Sequence, residues 1–333
     1  MQQTDLAGLN EQEERRLRDA GFQLEQGDDL RRWNRLEGAY FSSGLWESAG
    51  GREVPQFACS SAEACNALFC SVEKNKGKHI RPDHRGTIAN YFSAGYDRLR
   101  TRDGTHVRIC VVSIDSGGWT FDFRTQTKLD KLNQLDWENP HWQATRDVLY
   151  HLLFQKWPSE MRQTALCPKL FTHVRALKCN GGNEPRPRLD HVLDSFAAGY
   201  HDSGKRWSVV WRPNASMYSL CNRHLMAELD ALEPTVVIAQ GFSTHSECTT
   251  SSVIKAMDCL CQEPGADVGA QVYACSRTPV DVAARYWSAP WGPCALIGTY
   301  HPSYWLHDPH GLENLRRALE PGMKWLRDVG LTG

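Results

Sequence analysis

Apolar residues fall along this chain in two rhythms. Nearly continuous β-branched and aliphatic runs occur at 107–114 (VRICVVSI), 170–177 (LFTHVRAL), 235–240 (TVVIAQ) and 295–299 (ALIGT). Runs of that length without alternation read as parallel strands buried on both faces. Between them apolar positions recur at helical spacing, over 11–24, over 62–72 behind Ser61 as N-cap, and over 139–157. The same spacing returns over 222–232 behind Cys221, over 251–260 and over 311–328. A weaker strand is expected near Val272. Strands alternating with helices predict an α/β fold, a three-layer α/β/α sandwich around a central, mostly parallel four-stranded sheet. Residues 1–55 read as an N-terminal helical extension and 56–333 as the α/β domain, with a less regular insertion near 190–220. There is no internal repeat and no extended low-complexity tract.

Composition narrows the setting. With 333 residues, 41% hydrophobic and 23% charged, the chain is long enough for one large domain with additions and ordinary for a soluble protein. No apolar run approaches the roughly 20 residues that span a bilayer, so no membrane is expected. Residues 1–29 are charge-rich and lack the apolar core of a secretory signal, so a cytoplasmic protein, a monomer, is expected. Formal net charge is −1, so contact with nucleic acid must come from local basic patches. Twelve cysteines are unusual for a reducing compartment and leave three readings open: metal ligation, redox roles or plain burial. Cys59, Cys65 and Cys70 crowd together, Cys179 and Cys221 each adjoin a strand or helix boundary, and Cys259 and Cys261 form a further near pair.

Chemistry-bearing residues collect where strands end. The run at 107–114 leads into Asp115-Ser116-Gly117-Gly118-Trp119, with Phe121 and Phe123 close behind. A carboxylate followed by glycines at the carboxyl end of a buried strand is where open α/β sheets place ligand groups, and an Asp-Ser turn can also simply start a helix. The aromatic trio suits either a core or a base-stacking wall. The last strand runs into Gly298-Thr299-Tyr300-His301-Pro302-Ser303-Tyr304-Trp305-Leu306, where Pro302 fixes φ and turns the chain, holding His301 and Ser303 at the strand mouth. Residues 74–85 carry Lys76, Lys78, Arg81 and Arg85 around Gly77 and Pro82, a loop suited to solvation or to backbone phosphates.

Taken in order, these strand ends resemble the uracil-DNA glycosylase superfamily, most closely its iron–sulfur branch. Lys178-Cys179 followed by a Gly/Pro-rich loop is similar to that branch's Lys-Cys motif. Cys221, a helix, and then Glu233-Pro234-Thr235-Val236-Val237-Ile238-Ala239-Gln240-Gly241 resemble its Cys, helix, Pro and apolar strand ending in glycine. Thr299-Tyr300-His301-Pro302-Ser303-Tyr304 resembles its closing His-Pro-Ser motif, and Asp115-Ser116-Gly117-Gly118 falls where the family has its first motif. The likeness covers about residues 55–328. The first motif departs from the family's Gly-Glu-Ala-Pro-Gly, and the place of its uracil-reading Asn falls near Arg175, with no Asn over 170–178.

The resemblance implies a monofunctional DNA glycosylase. Cutting the base–sugar bond builds positive charge on the sugar and negative charge on the leaving base. Asp115 is then the carboxylate that stabilises the sugar cation and orients water, and His301 the donor to the departing base. Trp119, Phe121, Phe123 and Arg175 line the base pocket. Lys76, Lys78, Arg81, Arg85 and Ser303 contact phosphates, and Tyr304 and Trp305, with Leu306, fill the gap left by the flipped base. Cys59, Cys65, Cys179 and Cys221, with Cys70 as substitute, are the implied ligands of a structural [4Fe–4S] cluster, and zinc is the alternative metal. The missing Asn, the altered first motif and the insertion favour a modified pyrimidine, such as glucosylated hydroxymethylcytosine of phage DNA, over uracil; relatives of this kind serve in antiviral defence. The competing readings are a DNA-binding module of the same fold without catalysis, and a nucleoside hydrolase.

Overall fold

The apolar runs form the strands expected of them, and each is closed on both faces. The computed structural model describes residues 9–25, 29–48, 56–61, 63–65, 67, 91–92, 95–113, 140–155, 170–178, 215–241, 248–267, 270–274, 278–282, 284–299, 320, 324, 326–328, 330 and 331. The principal sheet contains β1 (Tyr91–Phe92), β2 (Ile109–Ser113), β3 (Phe171–Arg175), β4 (Val236–Gln240), β5 (Ala266–Asp267), β6 (Ala284–Ala289) and β7 (Gly292–Thr299), in the spatial order β1-β3-β2-β4-β7-β6-β5. The four strands read from the sequence, β2, β3, β4 and β7, are parallel and adjacent. The expected four-stranded sheet is therefore the centre of a seven-stranded one, extended by antiparallel β1 on one side and by β6 and β5 on the other. The strand expected near Val272 is real but leaves the sheet: Ala270–Ala274 pairs with Thr278–Val282 as a separate hairpin.

Helices lie on both faces. Alternation along β2, β3, β4 and β7 sends Cys110, Val112, Val174, Val237, Ala239 and Leu296 into one core, and Ile109, Val111, Phe171, Val236, Ile238 and Ile297 into the other. Each such side chain contributes roughly 1.5–3 kcal/mol when fully buried, so a strand left bare on one face would forfeit several kcal/mol. Helices α2 (Asp29–Ser42), α4 (Ala215–Leu232) and α5 (Thr249–Cys261) cover the first face. Helices α1 (Glu11–Asp19) and α3 (Pro140–Phe154) cover the second, joined by Leu326. Chain connections that move across the sheet in opposite directions thus carry their helices on opposite faces. From β2 to β3 the chain passes through α3, and from β3 to β4 through α4, as a single handedness of crossover requires.

Helix ends differ from the sequence reading in two places. The helix expected over 11–24 stops at Asp19, because Gly21 takes φ 95° and Phe22 N–H bonds back to the Leu17 carbonyl, turning Gln23–Leu24 into a short strand against Leu99–Arg100. Its start is a reciprocal capping box between Asn10 and Glu13. The helix expected from Asn222 begins at Ala215 instead, so Cys221 sits within it and 215–220 belong to α4; positions 190–214 lie outside the described residues. Trp33, Leu36, Tyr40 and Trp46 of the N-terminal extension enter the same core as α4 and the sheet.

Candidate functional site

At the carboxyl edge of the four parallel strands the core changes character. On the face covered by α3, the last residues of β3, β2, β4 and β7 are Arg175, Ser113, Gln240 and Thr299, in register as neighbours across the sheet. The rows beneath are apolar apart from His173, yet all four of these polar residues are buried. Buried polar groups without partners cost roughly 1–3 kcal/mol each on mutational scales, so a full polar row closing an apolar core signals a site more than a packing solution. His173 Nε2 lies 2.8 Å from Ser113 Oγ. From α3, Thr145 Oγ1 accepts a hydrogen bond from Gln240 Nε2 at 2.7 Å. In chain order the parallel strands lie second-first-third-fourth, so the reversal of direction falls between β2 and β4. Ser113 and Gln240 therefore end the two strands that flank the switch point, where open α/β sheets bind ligands.

Arg175, expected in the base pocket, takes its place in this row, its side chain among the largest that are fully buried. Asp115 and His301 follow Ser113 and Thr299 by two residues each in the chain and lie outside the described residues. Trp119, Phe121, Phe123, Lys76, Lys78, Arg81, Arg85, Ser303, Tyr304, Trp305, Cys70 and Cys179 also lie outside them. Ser113, His173, Gln240 and Thr145 went unnoticed in the sequence. The signal for two of the strand-end residues is there, since the runs at 235–240 and 295–299 close on Gln240 and Thr299, whereas Ser113 and Arg175 stand one and two residues inside theirs.

The opposite face holds the thiols. Cys59, Cys65 and Cys221 are buried against α4. Cys65 hydrogen-bonds to Cys221, and the Lys178 backbone N–H also reaches the Cys221 sulfur. These bonds, with the charges of Lys178 and Arg223, outweigh burial and lower the Cys221 thiol to about 7. One turn on, His224 Nε2 lies 3.3 Å from Cys59 Sγ and Nδ1 lies 3.0 Å from Ser43 Oγ. Burial, then Lys178 and Arg223, push that imidazole down to about 3, so it is neutral. A further turn on, Glu228 pairs with Lys178, both side chains wholly buried. Helix α4 thus presents Cys221, His224 and Glu228 as one polar stripe inside an apolar core.

Two thiols in contact, one lowered toward thiolate and a third beside a neutral imidazole, are donor chemistry that fits a thiolate-held metal. Among the described residues no group of three or more His, Cys, Asp or Glu side chains is gathered closely enough to hold a metal ion. Cys179 adjoins Lys178 in the chain, immediately past the described segment.

A polar cleft of about 540 Å³ lies at the other, amino edge of the sheet, near Arg108 and Glu233. Arg32 bridges Asp97 at 3.3 Å and Glu233 at 2.9 Å, Arg108 contacts Asp97 at 3.4 Å, and Arg35 pairs with Glu233. Arg32 and Arg35 also donate to the carbonyls of Ala231 and Asp230, acceptors in the last turn of α4 that have no partner within the helix. The cleft is lined by five arginines and four carboxylates, and its ion pairs join α2 to the sheet. Among the described residues no helix is long and apolar enough to cross a membrane. No protein-family model and no curated protein matches the chain.

Proposed function

We propose that this chain is a divergent monofunctional DNA glycosylase of the uracil-DNA glycosylase superfamily, akin to its iron–sulfur branch. It hydrolyses the N-glycosidic bond of a flipped-out modified pyrimidine, or uracil, and leaves an abasic site. One observation carries this reading. The two segments bearing the family's motifs, Asp115 and His301, continue from β2 and β7 two residues beyond a buried polar row at the switch point of a doubly wound sheet.

In this reading the polar row is the floor of the base pocket. Asp115 lies against the sugar, where its carboxylate offsets the developing cation and orients water; His301 donates to the leaving base. The aromatics at Trp119, Phe121 and Phe123 wall the base, and Tyr304 and Trp305 occupy the vacated stack. Lys76, Lys78, Arg81, Arg85 and Ser303 hold phosphates. The contacts around Cys221 support thiolate ligation by Cys59, Cys65 and Cys221 with Cys179. A [4Fe–4S] cluster bound there would brace α4 against the segments before and after it, on the face of the sheet away from the polar row. Glucosylated hydroxymethylcytosine in phage DNA is the proposed natural target.

Duplexes carrying uracil, hydroxymethylcytosine or its glucosylated form, incubated with the protein and then treated with alkali, provide the test. Strand breaks at the modified base are expected, reduced about 100-fold or more in Asp115→Asn and His301→Ala. Absence of breaks on all three and on native modified phage DNA would sink the proposal. The same preparation should absorb at about 400 nm and bleach on reduction; a colourless zinc protein would replace the cluster assignment.

A further inference from the structure

Within the buried polar row one acceptor atom stands without a partner among the described residues, Oε1 of Gln240. Its residue is 2% exposed. The orientation of the amide follows from its neighbour. A threonine hydroxyl inside a helix can give its proton to a carbonyl of the preceding turn and accept through its oxygen. Thr145, on α3, therefore takes Nε2–H of Gln240 at 2.7 Å, and Oε1 is the atom left over. A buried carbonyl that meets no donor costs the desolvation of that group, so the position makes sense when a donor arrives from outside. It sits at the end of β4, beside the switch point where an α/β sheet receives its ligand.

We propose that Gln240 is a specificity-determining residue that selects a 4-aminopyrimidine, a cytosine-type base, over its 4-oxo counterpart. The exocyclic amine of a cytosine-type base presents an N–H donor to Oε1. The 4-oxo group of a uracil-type base presents a lone pair to a lone pair, and both would be left unsatisfied in a buried site. Thr145 is a positioning residue in this scheme, since it holds the amide against rotation. The strand differs from β3, where the family resemblance sets the uracil-reading Asn, so recognition passes to a neighbouring strand end. The inference rests on the glycosylase reading for the identity of the site, while its own content is recognition of the base.

The experiment uses the full chain with duplexes containing a single 5-hydroxymethylcytosine or 5-hydroxymethyluracil, two bases that differ at the 4-position. Equilibrium binding reads the inference and alkali-labile breaks read the glycosylase activity. Wild-type protein is expected to bind the amino base roughly 10- to 100-fold more tightly, the span of one unsatisfied buried hydrogen bond. Gln240→Leu should bring the two duplexes within about threefold of each other. Thr145→Val, which keeps the side-chain shape of α3, should lower the preference in the same direction by freeing the amide. Equal binding by wild type, a preference for the oxo base, or an unchanged preference in both variants would overturn the proposal. A preference for the amino base, with no strand breaks on these duplexes, on uracil or glucosylated duplexes or on native modified phage DNA, leaves the proposal standing and removes the glycosylase reading. Strand breaks with no preference do the reverse.

Discussion

Lys178 and Glu228 meet where neither side chain touches solvent, Lys178 on the exit from β3 and Glu228 on α4. Burial pushes the Glu228 carboxyl up, against the pull of Lys178. Lys178 also donates to the Arg175 carbonyl, and its own backbone N–H reaches Cys221, so one residue ties the polar row to the thiols. An ion pair so deep adds little net stability, but removing one partner strands a buried charge. Lys178→Met is therefore expected to cost about 3–5 kcal/mol in urea unfolding, and Lys178→Met with Glu228→Leu to recover most of it. A single variant within about 1 kcal/mol of wild type would show that the pair does not organise this region. Nothing in the sequence announced the pair. In the sequence Lys178 belongs to a Lys-Cys motif and Glu228 carries no signal of its own, because the two stand fifty positions apart in the chain.

At the scale of elements, α2 is held to the sheet by apolar contact and by the carboxylate of Glu233. Burial would raise that carboxyl, yet hydrogen bonds from Arg35 and Arg32 and the charge of both hold it below its ordinary value. A carboxylate depressed in the folded state contributes stability that is complete above its unfolded value, about 4.3, and is lost as pH falls through the lower folded value. Thermal midpoints should therefore fall with pH below about 4 more steeply in wild type than in Glu233→Gln. Parallel slopes would remove Glu233 from the clamp. Element by element, the sequence was readable where burial is two-sided. VRICVVSI and TVVIAQ have apolar side chains for both cores, and their strands lie within one or two residues of the expected bounds. Strand β6, ARYWSA, was missed because its apolar positions are interrupted by Arg285 and exposed Ser288, while Trp287 alone is deeply buried in its centre. The start of α4 at Ala215 was illegible for a different reason: Asn214 and Ser216 read as loop chemistry next to an irregular stretch.

For the whole molecule, the sheet divides two kinds of polar interior. Thiols, His224 and the Lys178–Glu228 pair lie toward α2 and α4, and Ser113, His173 and Gln240 lie toward α3. That division suits a bound cluster that braces and a separate row that recognises. The resemblance in the sequence points to Asp115 and His301 beyond the strand ends, and of the buried polar row at the strand ends themselves it points to Arg175 but not to Ser113, Gln240 or Thr299. Their pairing with α3 spans ninety-five residues in the case of Gln240 and Thr145, beyond any local pattern. The central claim, that this floor receives a base cut from its sugar, is tested most directly by following the released product by mass spectrometry. Duplex DNA containing hydroxymethylcytosine or its glucosylated form should yield one free modified base for each abasic site, with the backbone intact until alkali is added, and His301→Ala should lower the rate about 100-fold or more. Release of a nucleoside or nucleotide, or of no base from either DNA or from a uracil-containing duplex, would contradict the account.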